Sequence, residues 1–473
     1  MKLNFSAAIF LILIAFAAGF SQSGRAARSA GDETGPKNDL TAKELFAEVK
    51  EYNGKKFAEY EQKKIPYSES LRIKTENERK QLSAKYSAIV TERKPTQPED
   101  LYFGGMLHWL AENLDGTADM LTRYVGSDPG TDDRRQNARA ILVFTNAKKK
   151  NVNDAVAFLE QYEKNTPVKI GETWRMNTEI AKAYLALNEY EKAAAYGEKG
   201  YAAAKELIRN QSAAVNPLDA ALDAAMLVFE AYRDAKKNNE ADNVLIDLRA
   251  TALSTNNALF FFYAADKLII HQIESGRKPL AMETFLSSLV EAGKGITLKE
   301  GRNEAIDRLK SREKHYKMLG ETAPEIFGVD KWFPGTPTTF ANLKGKVVLL
   351  DFWATWCGPC FDAFPHFAEW SQDFSDKGLV ILGVTRYYGH AERKTVDEPT
   401  EILFLKRFRE KHKLPYDFVV TKDQQMHIAY GATALPTTVL IDRRGKVRYF
   451  ETGSSPSRLA EMRAMMLKLL DEK

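Results

Sequence analysis

The stretch Leu343-Lys344-Gly345-Lys346-Val347-Val348-Leu349-Leu350-Asp351-Phe352-Trp353-Ala354-Thr355-Trp356-Cys357-Gly358-Pro359-Cys360 decides the fold of the C-terminal third. Val347–Phe352 is a short, nearly continuous apolar run, which predicts a strand buried on both faces. The Cys-Gly-Pro-Cys that follows stands where a helix starts. Pro359 costs little at a helix start, because its missing N–H would have lacked an intrahelical partner; with Gly358 it keeps the turn compact. Cys357 is thereby expected at the helix N-terminus, where unpaired N–H groups and the helix dipole favour a thiolate. Sites of this kind lower a thiol pKa from about 8.5 to about 7, worth about 2 kcal/mol. Cys360, one turn on, is the expected resolving thiol, which attacks a mixed disulfide and releases the reduced substrate.

Working outward, further apolar runs occur at 378–384 and at 437–441. The second reads as one arm of a hairpin whose other arm is 446–451, across Asp442-Arg443-Arg444-Gly445. Helical stretches fall at 360–374, 401–412 and 457–470. Strands alternating with helices predict an α/β domain. Prolines become frequent from Pro324 (then Pro334 and Pro337), so this domain is taken as 321–473.

The same residues resemble thioredoxin, and more closely the extracytoplasmic thioredoxin-like reductases of the TlpA and ResA type. The shared features are Ala323-Pro324-Glu325-Ile326, the Leu-Lys-Gly-Lys before the strand, Trp356-Cys357-x-x-Cys360, Leu435-Pro436-Thr437-Thr438, Ile441-Asp442 and Gly445-Lys446. The resemblance covers roughly residues 321–470 and implies a thioredoxin fold and disulfide exchange with protein thiols. It implies that Cys357 attacks, that Cys360 is its buried partner, and that Asp351 is a buried acid assisting deprotonation of Cys360. A carboxylate inside an apolar strand has a raised pKa, which suits proton transfer near neutrality. Pro436 matches a cis-proline beside the disulfide, Leu435 the main chain that pairs with substrate, and Trp356 an apolar cap, with Gly358 and Pro359 beside it in the substrate-binding set. Phe361, Phe364 and Phe367 read as core. One departure stands out. ResA-type reductases carry glutamate three residues after the second Cys, where this chain has Ala363; Asp362 points about 100° away around the helix.

Residues 40–316 are rich in Ala, Leu, Lys and Glu, poor in Pro, and lack strand alternation, so they are expected to be all-helical. Ile180 to Ala193 resembles a tetratricopeptide hairpin. Similar turns occur at 144–155, 232–241, 109–118 and 271–281, with Ala118, Ala155, Ala193, Ala241 and Ala281 opening the second helices. Spacings of 37, 38, 48 and 40 make an irregular array or an all-helical domain without true repeats. The whole chain is thus expected to be α+β multidomain: an all-α, hairpin-like region and then an α/β thioredoxin fold. Residues 1–22, with Lys2 before an apolar run at 7–20, read as a signal peptide, and 23–39 as a linker. The run is short for a membrane span, which needs about 20 apolar residues. An uncleaved anchor is the alternative. Either way the protein is expected in the periplasm or otherwise outside the cytoplasm.

Formal charge is +4 on 68 basic and 64 acidic residues, which gives no argument for nucleic acid as a partner. Cys357 and Cys360 are the only cysteines, so all redox chemistry runs through them and no cofactor is needed. No zinc site is expected, since two cysteines are too few ligands and the seven histidines show no paired spacing. Haem attachment needs His after the second Cys, where Phe361 stands. A peroxiredoxin approach would place Thr where Ala354 is. His390, His412 and His427 have no visible partner and read as surface or packing residues. The leading expectation is a protein-disulfide reductase with a membrane-bound electron donor. Its Gly-Pro dipeptide and Asp351 favour a potential near thioredoxin's, about −270 mV. The alternatives are a helical scaffold that grips a protein partner with an accessory redox domain, and a disulfide oxidase or isomerase.

Overall fold

The computed structural model describes residues 39–472 apart from 128–131, 211–215 and 393. The expected signal segment 1–22 and nearly all of the linker lie outside the described residues. The chain divides into two compact units, one ending at Leu248 and one running from Arg249.

The first unit holds helices α1 (Ala42–Gln62), α2 (Glu69–Glu92), α3 (Pro98–Leu110), α4 (Leu114–Gly126), α5 (Asp132–Lys148), α6 (Val152–Glu163), α7 (Ile170–Ala186), α8 (Tyr190–Arg209) and α9 (Pro217–Asp234). Helix α10 (Asn238–Ser254) carries the chain across the division. The second unit continues with α11 (Ala258–Glu274), α12 (Lys278–Gly295) and α13 (Lys299–Met318).

Each of the five expected hairpin turns separates two helices: α3 from α4, α5 from α6, α7 from α8, α9 from α10 and α11 from α12. One hydrogen-bond scheme closes all five. At α7, for example, the Glu189 N–H donates to the Tyr184 carbonyl at 3.0 Å and the Asn188 N–H to the Leu185 carbonyl at 3.0 Å. These two bonds satisfy carbonyls that a helix end leaves unpaired, and they require a left-handed residue between the helices. That residue is Glu112, Lys150, Asn188, Lys236 and Gly276 in turn. Five residues beyond it lie Thr117, Ala155, Ala193, Ala241 and Ala281, each 0 % exposed. The opening position of the first hairpin is therefore Thr117 and not Ala118. Glycines at some helix contacts leave no room for a side chain. A Cβ on Gly105 of α3 would stand 2.4 Å from Leu121 of α4.

After α13 the second unit forms a six-stranded sheet from β1 (Val329–Phe333), β2 (Val347–Phe352), β3 (Leu379–Arg386), β6 (Asp417–Thr421), β7 (Thr437–Ile441) and β8 (Val447–Thr452) in the order β1-β6-β3-β2-β7-β8. A small ribbon, β4 (His390–Ala391) with β5 (Lys394–Thr395), lies apart. Strand β2 is central, parallel to β3 and antiparallel to β7, and all six of its residues are buried. Helices α14 (Gly358–Phe374), α15 (Glu398–Lys411) and α17 (Pro456–Asp471) contribute to one core with Leu349, Trp353 and Leu440 of the sheet. A 3-10 turn (Ser375–Lys377) and the short α16 (Gln425–Ala429) complete the elements. This is the α+β organisation expected, a helical N-terminal region followed by a thioredoxin fold. Strands β1 and β6 were not anticipated.

Helix α13 packs on this fold. The His315 ring stacks on Phe450 of β8 at 3.5 Å between centroids, and its Nε2 donates to the Gly431 carbonyl at 3.3 Å. Lys314 Nζ donates to the Ile428 carbonyl. Partly buried Arg312 pairs with Asp266 of α11 at 3.1 Å, and Tyr316 donates to the same carboxylate at 2.6 Å.

Candidate active site

Strand β2 ends at Phe352 and α14 begins at Gly358, with Cys357 as its N-cap residue in an extended conformation. Of the two long helices that share its core, α15 is capped by Asp397 through the Thr400 N–H and α17 by Ser455 through the Arg458 N–H. Cys357 makes no such bond, so the positive end of α14 is presented to a sulfur. Cys357 and Cys360 form a disulfide with Cα atoms 5.4 Å apart. Cys357 is 3 % exposed and Cys360 0 %. Gly358 and Pro359 between them are exposed.

Asp351 is 1 % exposed on the sheet face that α14 covers. Both its carboxyl oxygens lack a hydrogen-bond partner, and burial pushes its pKa up to about 8. Space beside it on β3 is given up by Gly383, the register partner of Asp351. A Cβ there would meet Trp353 Nε1 at 2.8 Å and Phe418 Cβ at 2.8 Å. Trp353 is fully buried and stacks on Phe408 of α15 at 5.2 Å, as expected of a core residue. Phe364 and Phe367 are buried, and Phe361 is partly buried against His412 at 5.1 Å.

Trp356 is 62 % exposed, with its ring edge-on to Tyr388 at 5.4 Å. The Leu435–Pro436 peptide is cis, with Pro436 buried and Leu435 partly buried. The Pro436 carbonyl accepts the Gly453 N–H at 2.7 Å, and the neighbouring Ser454 hydroxyl donates to the Pro359 carbonyl at 2.6 Å. One loop after β8 therefore ties the proline segment to the Cys-Gly-Pro-Cys turn. All eight residues singled out in the sequence occur in these two segments and the strand leading into them.

Sequence reasoning missed the residues that hold this surround. Glu401 of α15 is 2 % exposed and accepts the N–H groups of Tyr388 and Gly389, both at 2.9 Å. It thereby fixes the loop that carries Tyr388, over whose ring Arg386 lies at 4.2 Å. A glutamate at the first residue of an expected helix carries no sign of this role. Ser454 is equally silent, being joined to the turn only through space. His427 is buried against Phe352 at 5.2 Å, and burial with Arg386 nearby pushes its pKa down to about 4; it is a packing residue.

The chain is similar to known thiol-disulfide oxidoreductases. The AhpC/TSA family model matches residues 319–450. The thiol-disulfide oxidoreductase ResA of Geobacillus thermodenitrificans is 34% identical over 142 residues, covering 30% of this chain and 74% of that protein. ResA of Bacillus anthracis is 30% identical over 135 residues, covering 28% and 70%. Among solved structures, the thioredoxin domain of a thiol-disulfide oxidoreductase from Bacteroides vulgatus matches at 25% identity with a TM-score of 0.26, covering 31% of this chain and 96% of that one. Through the unit that carries Cys357 and Cys360, the chain belongs to the ResA family of thiol-disulfide oxidoreductases.

Proposed function

We propose that this protein reduces disulfides of exported proteins outside the cytoplasmic membrane and is itself re-reduced by a membrane-bound thiol donor. The observation that carries this reading is the placement of the cysteine pair. The first sulfur sits at an otherwise uncapped helix N-terminus, and the second is fully buried on the side of α14 that faces the sheet carrying a solvent-free carboxyl, Asp351.

In the reduced protein the Cys357 thiolate attacks one sulfur of a substrate disulfide. That S–S bond breaks, a mixed disulfide forms on Cys357, and the other substrate sulfur leaves as a thiolate. Asp351, as carboxylate, takes the Cys360 thiol proton. The Cys360 sulfur then attacks Cys357, and the second substrate sulfur leaves and is protonated. Two electrons have passed to the substrate, and the pair is left as the Cys357–Cys360 disulfide seen here. A group with a pKa near 8 gives and takes a proton readily at neutral pH. Exposed Trp356 and the Leu435 main chain are the surfaces on which a substrate chain is read.

Cys357→Ser is expected to abolish insulin reduction by the full-length protein, and the reduction potential is expected below about −230 mV. A potential near that of a strong oxidant, about −120 mV, would replace this reading with a disulfide oxidase. Cys360→Ala is expected to trap substrates as mixed disulfides on Cys357 in envelope extracts.

A further inference from the structure

The sheet register extends the site sideways from Asp351. Asp351 of β2 is paired with Thr438 of β7, and Thr438 with Glu451 of β8. Partners on adjacent strands project to the same face, about 5 Å apart at each step. The neighbouring row on that face is Leu349, Leu440 and Tyr449, all packed in the core with α14 and α17. The row Asp351–Thr438–Glu451 is therefore a polar line crossing three strands beneath the helices. Thr438 is 3 % exposed, and its hydroxyl, like both oxygens of Asp351, has no hydrogen-bond partner. A buried unpartnered hydroxyl between two acids is unusual, because such groups cost free energy unless they are used.

Glu451 ends the line near the edge of the sheet. Its carboxylate accepts the Thr452 N–H at 3.0 Å and lies 3.5 Å from Arg458 Nε of α17. Arg312 of α13 and Asp266 of α11 also face it, and Tyr449 and Glu461 share the neighbourhood. Burial raises its pKa while the two arginines lower it. Asp351 at the inner end is faced by Tyr416.

We propose that Thr438 and Glu451 are positioning residues for the proton handled by Asp351, with the Thr438 hydroxyl passing it between the two carboxyl groups through bridging water. A hydroxyl is donor and acceptor at once. By way of water on either side, Thr438 takes up the proton given by Asp351 while its own hydroxyl proton passes on to the Glu451 carboxylate; nothing is oxidised or reduced and the hydroxyl is regenerated. The inference rests on the reading of Asp351 given above.

The test is the resolution of a glutathione mixed disulfide on Cys357, followed by stopped flow from pH 5 to 9 after mixing reduced full-length protein with oxidised glutathione. Thr438→Val is expected to slow resolution about 100-fold below pH 8, the lower end of what positioned proton transfer contributes. Thr438→Ser is expected to restore the wild-type profile. Glu451→Gln should slow it comparably, and the double variant should be no slower than Thr438→Val, since both lie on one path. A wild-type profile in folded Thr438→Val, or multiplying effects in the double variant, overturns the proposal. Thr438→Ala carries the same test if the valine variant does not fold. Asp351→Asn separates the two levels. If it is slow while Thr438→Val is not, only the relay fails; if Asp351→Asn itself resolves normally, the role of Asp351 fails and the relay with it.

Discussion

Asp351 is deprived of both water and hydrogen-bond partners, and this gives the folded protein a signature that can be read without any substrate. Its folded pKa, about 8, lies above the ordinary carboxylate value. The folded chain therefore holds a proton that the unfolded chain has lost. The associated stability is full below about pH 4 and is lost as pH rises towards 8, at about 1.4 kcal/mol per pH unit. Asp351→Asn is expected to remove this slope, so that denaturant unfolding of the oxidised proteins shows wild type losing ground to the variant between pH 5 and 8. Parallel pH profiles would mean that the carboxyl is not desolvated. At this scale the sequence was unusually legible, because Asp351, Trp356, Cys357 and Cys360 lie within ten residues and local rules place them. Thr438, Glu401 and Ser454 reach the same place by register and tertiary approach, which no local pattern encodes.

The helical turns show how a shared backbone requirement can be legible while its details are not. Turn positions followed from apolar spacing and small residues, yet Ala118 drew attention from Thr117, which is the buried position. The left-handed residue is glycine in only one of the five hairpin turns, Gly276; elsewhere it is Lys, Glu or Asn, so the usual glycine signal is absent. This predicts opposite effects at equivalent sites. Exposed Lys150, at φ 62°, is expected to gain about 1 kcal/mol when changed to Gly, and Gly276→Ala, at φ 80°, to lose about as much. Thermal unfolding of both variants checks this; two changes of the same sign would contradict it. Strand β1 escaped notice because Asp330 and Lys331 interrupt its apolar pattern, and β6 because five residues after Pro415 are too short to stand out. Both are fixed by tertiary pairing, β6 with β3 and β1 with β6.

For the whole molecule, the change of texture near residue 320 marks where the secondary structure changes, whereas the compact unit begins at Arg249. Helices α11 to α13 belong with the redox fold through contacts such as His315 on Phe450 and Lys314 on Ile428, made by residues more than 100 apart in sequence. Composition cannot reveal such pairs. Every step of the exchange depends on the charge state of one sulfur in the intact protein. The most direct measurement is the rate of iodoacetamide labelling of Cys357 in the fully reduced chain as a function of pH, followed by mass spectrometry. Cys357 is expected to titrate near pH 7, with Cys360 protected throughout. Labelling of both thiols at equal rates with a midpoint near 8.5, the value of a free cysteine, would contradict the account.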